Sequence, residues 1–201
     1  MDFAPYIVTG LVAFLIGSFP TGYLVAKAYD VDVQRVGSHN IGATNVLRTV
    51  NPWAGRAVFV VDVIKGFTPT LVAPAVFPKP DHALLQILAC FATIMGHNYT
   101  PWLRFKGGKG VAAGMGGFLA LCWPAQVLAG AIWLIVFFIW RYVSVASMAS
   151  VLALPLLVLA FTRDLKLTGF GLLVAAMAVG RHADNIRRFW SGSEYRFERK
   201  G

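Results

Sequence analysis

Charged residues are scarce in this chain of 201 residues. They make up 13% of the sequence, whereas 57% of the residues are hydrophobic. An ordinary soluble domain carries about 25% charged residues, so this shortage excludes a soluble domain with a large core and indicates an integral membrane protein. The length predicts one compact domain over residues 1–201, with no separate soluble domain.

Several patterns typical of other protein classes are also missing. The two cysteines, Cys90 and Cys122, lie within apolar runs, and neither they nor the four histidines have the spacing of metal ligands. No metal and no cofactor is therefore predicted. A Gly-x-Ser-x-Gly turn is absent, and so is the phosphate-binding loop of ATPases. The net charge of +9 does not predict nucleic-acid binding, because the basic residues gather at the ends of apolar runs.

Apolar runs that could cross a membrane are abundant. They cover residues 3–26, 57–78, 83–101, 110–122, 125–140, 145–162 and 167–181. A full crossing takes about 20 residues, and the break near Pro124 divides one long stretch because proline stops or starts a helix. The sequence thus predicts an all-α integral membrane protein, a compact bundle of seven transmembrane helices. The runs at 110–122 and 167–181 are short, so either loop residues extend them or one of them enters the bilayer only partly.

The basic residues predict the orientation of this bundle. No Lys or Arg precedes Lys27, so the first run lacks the charged start of a signal peptide and is predicted to be a retained helix. With seven crossings, fourteen Lys and Arg residues fall on one side and three, Lys79, Arg163 and Lys166, fall on the other. Because cytoplasmic loops carry the excess of positive charge, the N-terminus is predicted outside and the C-terminus in the cytoplasm. The polar loops are therefore predicted to face the cytoplasm.

The polar segment GSHNIGATNVLR at residues 37–48 lies between the first two runs. It contains glycines, short hydrogen-bonding side chains such as those of Ser38 and Asn40, and the guanidinium of Arg48. Arg pairs with phosphate through two parallel hydrogen bonds, and a helix N-terminus adds amides that favour an anion. The segment therefore predicts a phosphate site, although a capped polar loop without a ligand would use the same residues.

A second glycine-rich segment, FKGGKG at residues 105–110, precedes another apolar run. Lys109 lies among Gly107, Gly108 and Gly110, and backbone amides beside a lysine can form a concave anion site. The alternative is an anchor of positive charge at the inner membrane surface. That alternative accounts for Arg104 and Lys106 but not for the small residues on both sides of Lys109.

Other polar groups can be interpreted as functional or as purely structural residues. His182 and Asn185 are three residues apart on one predicted helix face, where they could act on a substrate or anchor a helix end. Ser144 and Ser147 come at a helix start, where capping is the usual role. His97 is interpreted as a hydrogen-bonding residue at a helix end. Asp62 and Lys65 lie one turn apart within a run and are predicted to form an ion pair that braces the bundle.

The motifs together resemble a known family. GSHNIGATNVLR, then Asp62-Val63-Ile64-Lys65-Gly66, Gly96-His97, FKGGKG, RYVSVAS and HADNIRR are similar, in this order, to the bacterial membrane glycerol-3-phosphate acyltransferases of the PlsY family. The resemblance implies transfer of a fatty acyl group from acyl phosphate to the sn-1 hydroxyl of glycerol 3-phosphate. The products would be lysophosphatidic acid and phosphate. Membrane lipid and the enzyme that makes acyl phosphate are the further partners it suggests.

The resemblance also implies roles for particular residues. His182, Ser38 and Asn185 are assigned to catalysis, and Arg48, Lys109 and Ser147 to substrate binding. Asn40, Gly107, Gly108 and Gly110 join the substrate-binding group because they belong to the two polar segments described above. Because acyl phosphate is already activated, direct transfer without an acyl-enzyme is expected. The proton acceptor is either His182 or a phosphate oxygen of a substrate.

Two departures from the family pattern stand out. His39 replaces a common Gly, so the loop is expected to lose its freedom to take a positive φ at that position. Ala113 replaces a common Thr and removes the contact of that hydroxyl.

A transporter of an anionic metabolite is the main alternative function. Its polar residues should line a path across the membrane, whereas here they gather at one membrane face. A purely structural membrane subunit would not need such a density of motifs.

Overall fold

All regular structure in the described residues is helical. The computed structural model describes residues 2–78 and 81–197, and no strand occurs among them. The α-helices are α1 (Ala4–Ser18), α2 (Thr21–Lys27), α3 (Ala43–Thr49), α4 (Pro52–Val76), α5 (His82–Asn98), α6 (Val111–Trp140), α7 (Val143–Thr162), α8 (Leu165–Arg181) and α9 (Ala183–Trp190), with a 3₁₀ turn at Pro101–Leu103. The all-α prediction is confirmed.

The helix ends refine the predicted runs. The first run is divided before Thr21 into α1 and α2. Helix α4 begins earlier than predicted because the side chain of Asn51 accepts a hydrogen bond from the Ala54 amide and proline occupies the first turn. Helix α6 leaves helical geometry at Cys122, where φ is −155° and ψ is 78°, just before Pro124. The predicted break in that stretch is therefore confirmed.

Four helical segments are long and apolar enough to cross a membrane. They are Ala4–Lys27, Pro52–Val76, Val111–Trp140 and Val143–Thr162. Helices α5 and α8 have 17 residues each, which is the lower end of the range of about 17–25 for a crossing. The chain is thus a multi-pass membrane protein by the length and composition of its helices, and the number of crossings stays a prediction.

The described residues fall into two compact units, which we call unit 1 and unit 2. Unit 1 runs to Leu121 and unit 2 starts at Cys122. In unit 1, α1 packs most extensively against α5. Gly17 and Gly96 lie at that contact, and a Cβ at either position would strike backbone atoms of the facing helix. Small residues of this kind let membrane helices approach closely.

Unit 2 is built on the packing of α7 against α8. The segment after α9 folds back onto the end of α6: the Phe197 amide donates to the carbonyl oxygen of Arg141 at 2.9 Å, and the Phe197 ring meets the Phe137 ring edge-on with centroids 5.6 Å apart. This return places the tail beside the polar residues that follow α8.

Candidate active site

One buried amide organises the loop before α3. Asn45 is 2% exposed. Its Oδ1 accepts the Ser38 amide at 2.9 Å, and its Nδ2 donates to the carbonyls of Val33 at 3.0 Å and Val36 at 3.1 Å. The sequence pattern alone assigned Asn45 no role. The structure shows that it holds the loop on which Ser38 is presented.

The predicted residues of this loop, Ser38, Asn40 and Arg48, lie close in sequence to Asn45 and are less buried than Asn45. Ser38 and Arg48 are half-buried, and Arg48 lies in the last turn of α3. Asn40 uses its Oδ1 to accept the Gly42 amide at 2.8 Å, a local turn that needs no ligand. Its remaining Nδ2 group is a hydrogen-bond donor.

The expectation for His39 was wrong. The φ of His39 is 56°, and that of Gly37, two residues earlier, is 61°. His39 therefore takes the left-handed conformation although it is not a glycine. Histidine is among the residues that enter this region more often than most. Its Nδ1 also lies 3.2 Å from the carbonyl oxygen of Gln34, a contact that stabilises this conformation.

The glycine-rich loop between α5 and α6 is tied to the end of α5 by its backbone. The amides of Gly107 and Gly108 donate to the carbonyls of Asn98 at 3.2 Å and His97 at 3.0 Å. A Cβ on Gly107 would strike the His97 carbonyl oxygen, and one on Gly108 would strike the His97 ring. These glycines are needed for the close approach of the loop to α5.

The same loop presents Lys109 at the start of α6. Lys109 is half-buried, whereas Lys106 is exposed. Gly110 has a φ of 77°, a turn that glycine allows at no steric cost. Since Gly107 and Gly108 use their amides within the loop, the groups that suit an anion here are the Lys109 ammonium and the first amides of α6.

A buried ion pair lies beside this loop. Lys65 Nζ is 2.8 Å from Asp62 Oδ1 and donates to the carbonyl oxygen of Phe19 at 3.1 Å. His97 Nδ1 is 4.0 Å from the same Asp62 oxygen. The predicted ion pair is confirmed, and it links α4 to the end of α1 and to the residue on which the glycine-rich loop packs.

In unit 2, His182 joins α8 to α9. It is 3% exposed, and its Nδ1 lies 2.7 Å from the carbonyl oxygen of Ala178. Because a carbonyl only accepts hydrogen bonds, Nδ1 carries the proton and Nε2 carries the lone pair of a neutral ring. The Ala178 carbonyl thus orients the imidazole, while neighbouring Asp184 pairs with exposed Arg187 at 3.6 Å.

Glu194 is the residue that sequence reasoning missed. Its Oε1 accepts from Asn185 Nδ2 at 2.6 Å and from Ser144 Oγ at 2.7 Å, and its Oε2 accepts from Arg188 Nε at 2.9 Å. Burial alone would raise the pKa of this carboxyl, but the bonds from Asn185, Ser144 and Arg188 and the charge of Arg188 leave the pKa below its ordinary value. The available signal was that the chain has just two glutamates, Glu194 and Glu198; Glu194 lies in a tail turn without helical spacing to Asn185.

The two serines of α7 have side-chain partners. Ser144 binds Glu194 as described, and Ser147, 4% exposed, accepts a hydrogen bond from Trp133 Nε1 at 3.1 Å. Tyr142 precedes the first turn of α7, and no side chain caps it. Capping, the usual role considered for both serines, was therefore the wrong interpretation.

The structure thus gathers the predicted residues into distinct groups within each unit. Unit 1 contains the Asn45-organised loop with Ser38, Asn40 and Arg48, and the glycine-rich loop with Lys109. Unit 2 contains Asn185 in the Glu194 cluster, together with buried His182 and Ser147. Among residues 2–78 and 81–197, no group of three His, Cys, Asp or Glu residues could hold a metal ion. These features define an all-helical, multi-pass membrane protein whose polar residues cluster at helix junctions.

Comparison with known proteins identifies the family within that class. The family model described as glycerol-3-phosphate acyltransferase matches residues 7–192. Since the match spans most of the chain, the chain belongs to this family.

Individual relatives agree with the family match. A glycerol-3-phosphate acyltransferase of Geotalea daltonii is 43% identical over 188 residues, 93% of this chain and 95% of the relative, and one of Geobacter sulfurreducens is 43% identical over 190 residues, 93% and 95%. The crystal structure of PlsY (YgiH), an integral membrane glycerol 3-phosphate acyltransferase, in its glycerol 3-phosphate form aligns with a TM-score of 0.90 and 33% identity over 96% of both chains. Its lysophosphatidic acid form aligns with a TM-score of 0.87 and 32% identity over 96% of this chain and 95% of that one.

Proposed function

We propose that this chain transfers a fatty acyl group from acyl phosphate to the sn-1 hydroxyl of glycerol 3-phosphate. The products are lysophosphatidic acid and inorganic phosphate, and the reaction is the first acylation step of phospholipid synthesis. The observation that carries the proposal is the alignment, over nearly the whole chain, with a solved acyltransferase in its glycerol 3-phosphate form. The phosphate-binding residue types in the loops of unit 1 agree with it.

The transfer is direct. The sn-1 oxygen attacks the acyl carbonyl carbon, a new ester C–O bond forms, and the bond between the carbonyl carbon and the phosphate oxygen breaks. Phosphate leaves with the bonding electron pair. Because the mixed anhydride is already activated, positioning and charge stabilisation supply the catalysis, and no acyl-enzyme is needed. Buried Ser144 donates to Glu194 and Ser147 accepts from Trp133, and neither is hydrogen-bonded to a histidine that would activate it as a nucleophile.

The positive side chains of unit 1 bind phosphate in this proposal. Arg48 contributes a planar fork and Lys109 a compact ammonium, with Ser38 and Asn40 as hydrogen-bonding partners. Gly107, Gly108 and Gly110 act through the backbone, by allowing the loop conformation that presents Lys109. In unit 2, Asn185 and Ser147 orient a substrate oxygen.

The hydroxyl proton goes to His182 Nε2 or to a substrate phosphate oxygen. The contact of Nδ1 with the Ala178 carbonyl supports a role for His182, because it holds the ring in the tautomer whose Nε2 can accept a proton. A phosphate monoester titrates near 6 and is chemically competent as well. The pH–rate profile of His182→Gln distinguishes the two acceptors.

The proposed topology has seven crossings, the N-terminus outside, and the candidate site facing the cytoplasm of a bacterial inner membrane. Single cysteines replacing Ser38 and Ser193 should react only with a reagent supplied from the cytoplasmic side. One replacing Lys79, which lies outside the described residues, should react only from the periplasm. Periplasmic labelling at Ser38 would contradict the orientation and the cytoplasmic supply of both substrates.

The assay that tests the function uses the purified, full-length protein in detergent or in vesicles. It is supplied with palmitoyl phosphate and labelled glycerol 3-phosphate, and the lipid phase is scored for lysophosphatidic acid. We expect equimolar lysophosphatidic acid and inorganic phosphate, with no product from acyl-coenzyme A. Uptake of glycerol 3-phosphate into vesicles without acylation would instead favour a transporter.

A further inference from the structure

The indole of Trp133 contacts one of the proposed site residues. Trp133 Nε1 lies 3.1 Å from Ser147 Oγ, and both residues belong to unit 2, on α6 and α7. Ser147 is 4% exposed, so its hydroxyl is shielded from solvent. Removal of one partner from such a buried polar contact leaves the other without its hydrogen bond, which costs free energy.

The direction of this hydrogen bond is fixed by chemistry. An indole N–H can only donate, whereas a hydroxyl can donate once and accept twice. Ser147 Oγ is therefore the acceptor, and its own hydrogen is left to donate elsewhere. Within the part of the chain that the structure describes, that hydroxyl donates to no other residue.

Aromatic packing holds the indole in this position. The rings of Trp133 and Phe137 stack with centroids 5.0 Å apart and an interplanar angle of 18°. Phe137 in turn meets Phe197 edge-on, and the Phe197 amide donates a hydrogen bond to the carbonyl oxygen of Arg141. The tail of the chain thus supports a line of rings that ends at Ser147.

From this arrangement we infer that Trp133 is a positioning residue for acyl transfer. Its N–H occupies a lone pair of Ser147 and so directs the serine hydrogen towards a phosphate oxygen of a substrate. The inference rests on the proposed function, because it takes Ser147 as a substrate contact. The phosphate belongs to glycerol 3-phosphate or to acyl phosphate, and the experiment distinguishes them.

The test is a double-mutant cycle on the full-length protein. Trp133→Phe keeps a ring to stack on Phe137 and removes the N–H. In the wild-type background it should lower kcat/KM roughly 2- to 12-fold, the range for one neutral hydrogen bond, through a higher KM for one of the two substrates. In a Ser147→Ala background the same change should have almost no effect, because its target is gone.

Dissociation constants are measured alongside turnover. The dissociation constants of glycerol 3-phosphate and of a non-hydrolysable acyl phosphonate complete the cycle even when Ser147→Ala is inactive. The substrate whose affinity falls in Trp133→Phe is the one whose phosphate Ser147 contacts. Trp140→Phe is the matched control, since Trp140 is on the same helix and exposed, and it should behave as wild type.

Several outcomes would overturn the inference. Equal losses from Trp133→Phe in both backgrounds would mean that Trp133 does not act through Ser147, and an unchanged Trp133→Phe enzyme would remove its role altogether. If Trp133→Phe does not fold, replacement of Trp133 by its benzothienyl isostere, which lacks only the N–H, takes its place, and failure of both shows a structural role. A wild-type protein that forms no lysophosphatidic acid would instead refute the proposed function.

Discussion

Unit 1 and unit 2 hold their candidate site residues by different means. In unit 1 the loops are held by backbone hydrogen bonds, by the buried amide of Asn45 and by glycines that pack against α5. In unit 2 the carboxylate of Glu194 collects Ser144, Asn185 and Arg188 through their side chains. Unit 1 is therefore expected to be sensitive to an added Cβ, and unit 2 to the loss of one charge. The following substitutions test that contrast.

Replacement of His182 should have the largest effect if it is the general base. His182→Ala should then lower turnover roughly 100- to 10,000-fold, and the wild-type rate should fall on acidification through the imidazole pKa. His182→Gln keeps a hydrogen-bonding group but cannot take up the proton at neutral pH. The deciding measurement is the pH–rate profile of His182→Gln, because a persisting acidic fall assigns the proton to a substrate phosphate.

Lys109 provides the corresponding test in unit 1. Lys109→Ala should lower turnover roughly 100- to 1,000-fold, the usual loss when one group that stabilises developing charge is removed, while the protein still inserts and purifies. Lys106→Ala is the matched control: that exposed lysine contributes only about 1 kcal/mol of membrane attraction. Equal activity of Lys109→Ala and wild type would remove Lys109 from the site.

Glu194 tests whether one carboxylate holds the polar cluster of unit 2. Glu194→Ala removes the acceptor of the hydrogen bonds from Asn185 and Ser144 and the counter-charge of Arg188, at a cost of about 1–3 kcal/mol. Thermal unfolding in detergent should show the loss. Asp184→Asn, which removes an exposed ion pair worth about 0–1 kcal/mol, is the control that should change little.

The pH dependence of stability provides an independent check on Glu194. The pKa of its carboxyl is lowered in the folded protein from an ordinary value of 4.5. Its contribution to stability is therefore complete above pH 4.5 and is lost as the pH falls through the lowered pKa. Wild type should lose thermal stability over that acidic range, and Glu194→Gln should lose less; parallel curves for the two proteins would contradict the assignment.

A glycine pair tests the opposite vulnerability and should give the smallest change. Gly107→Ala forces a Cβ against the His97 carbonyl and should lower the free energy of unfolding by about 1–3 kcal/mol, as overpacking does. Gly130→Ala, on α6 with nothing within 4 Å of the added Cβ, should be neutral or raise stability by up to about 1 kcal/mol. A Gly107→Ala protein as stable as wild type would show that the loop can move away from α5.

Much of the architecture could be predicted from the sequence because a membrane imposes simple rules. The lengths of the apolar runs predicted the long helices, and Pro124 predicted the break in α6. The structure confirmed both features. The ion pair of Asp62 and Lys65 followed from their spacing of one helical turn. His39 was misjudged because its positive φ depends on a local contact with Gln34, which a family pattern does not reveal.

The apolar helices, the family motifs and the polar residues available for chemistry could be read from the sequence, because they depend on residue type and short-range spacing. Tertiary structure alone decided that Glu194 binds Ser144 and Asn185, that Trp133 reaches Ser147, and that Asn45 holds the loop of Ser38. Each of these contacts joins residues from different helices or loops. No periodicity in the chain encodes such a pairing, since it exists only when packing has brought the two segments together.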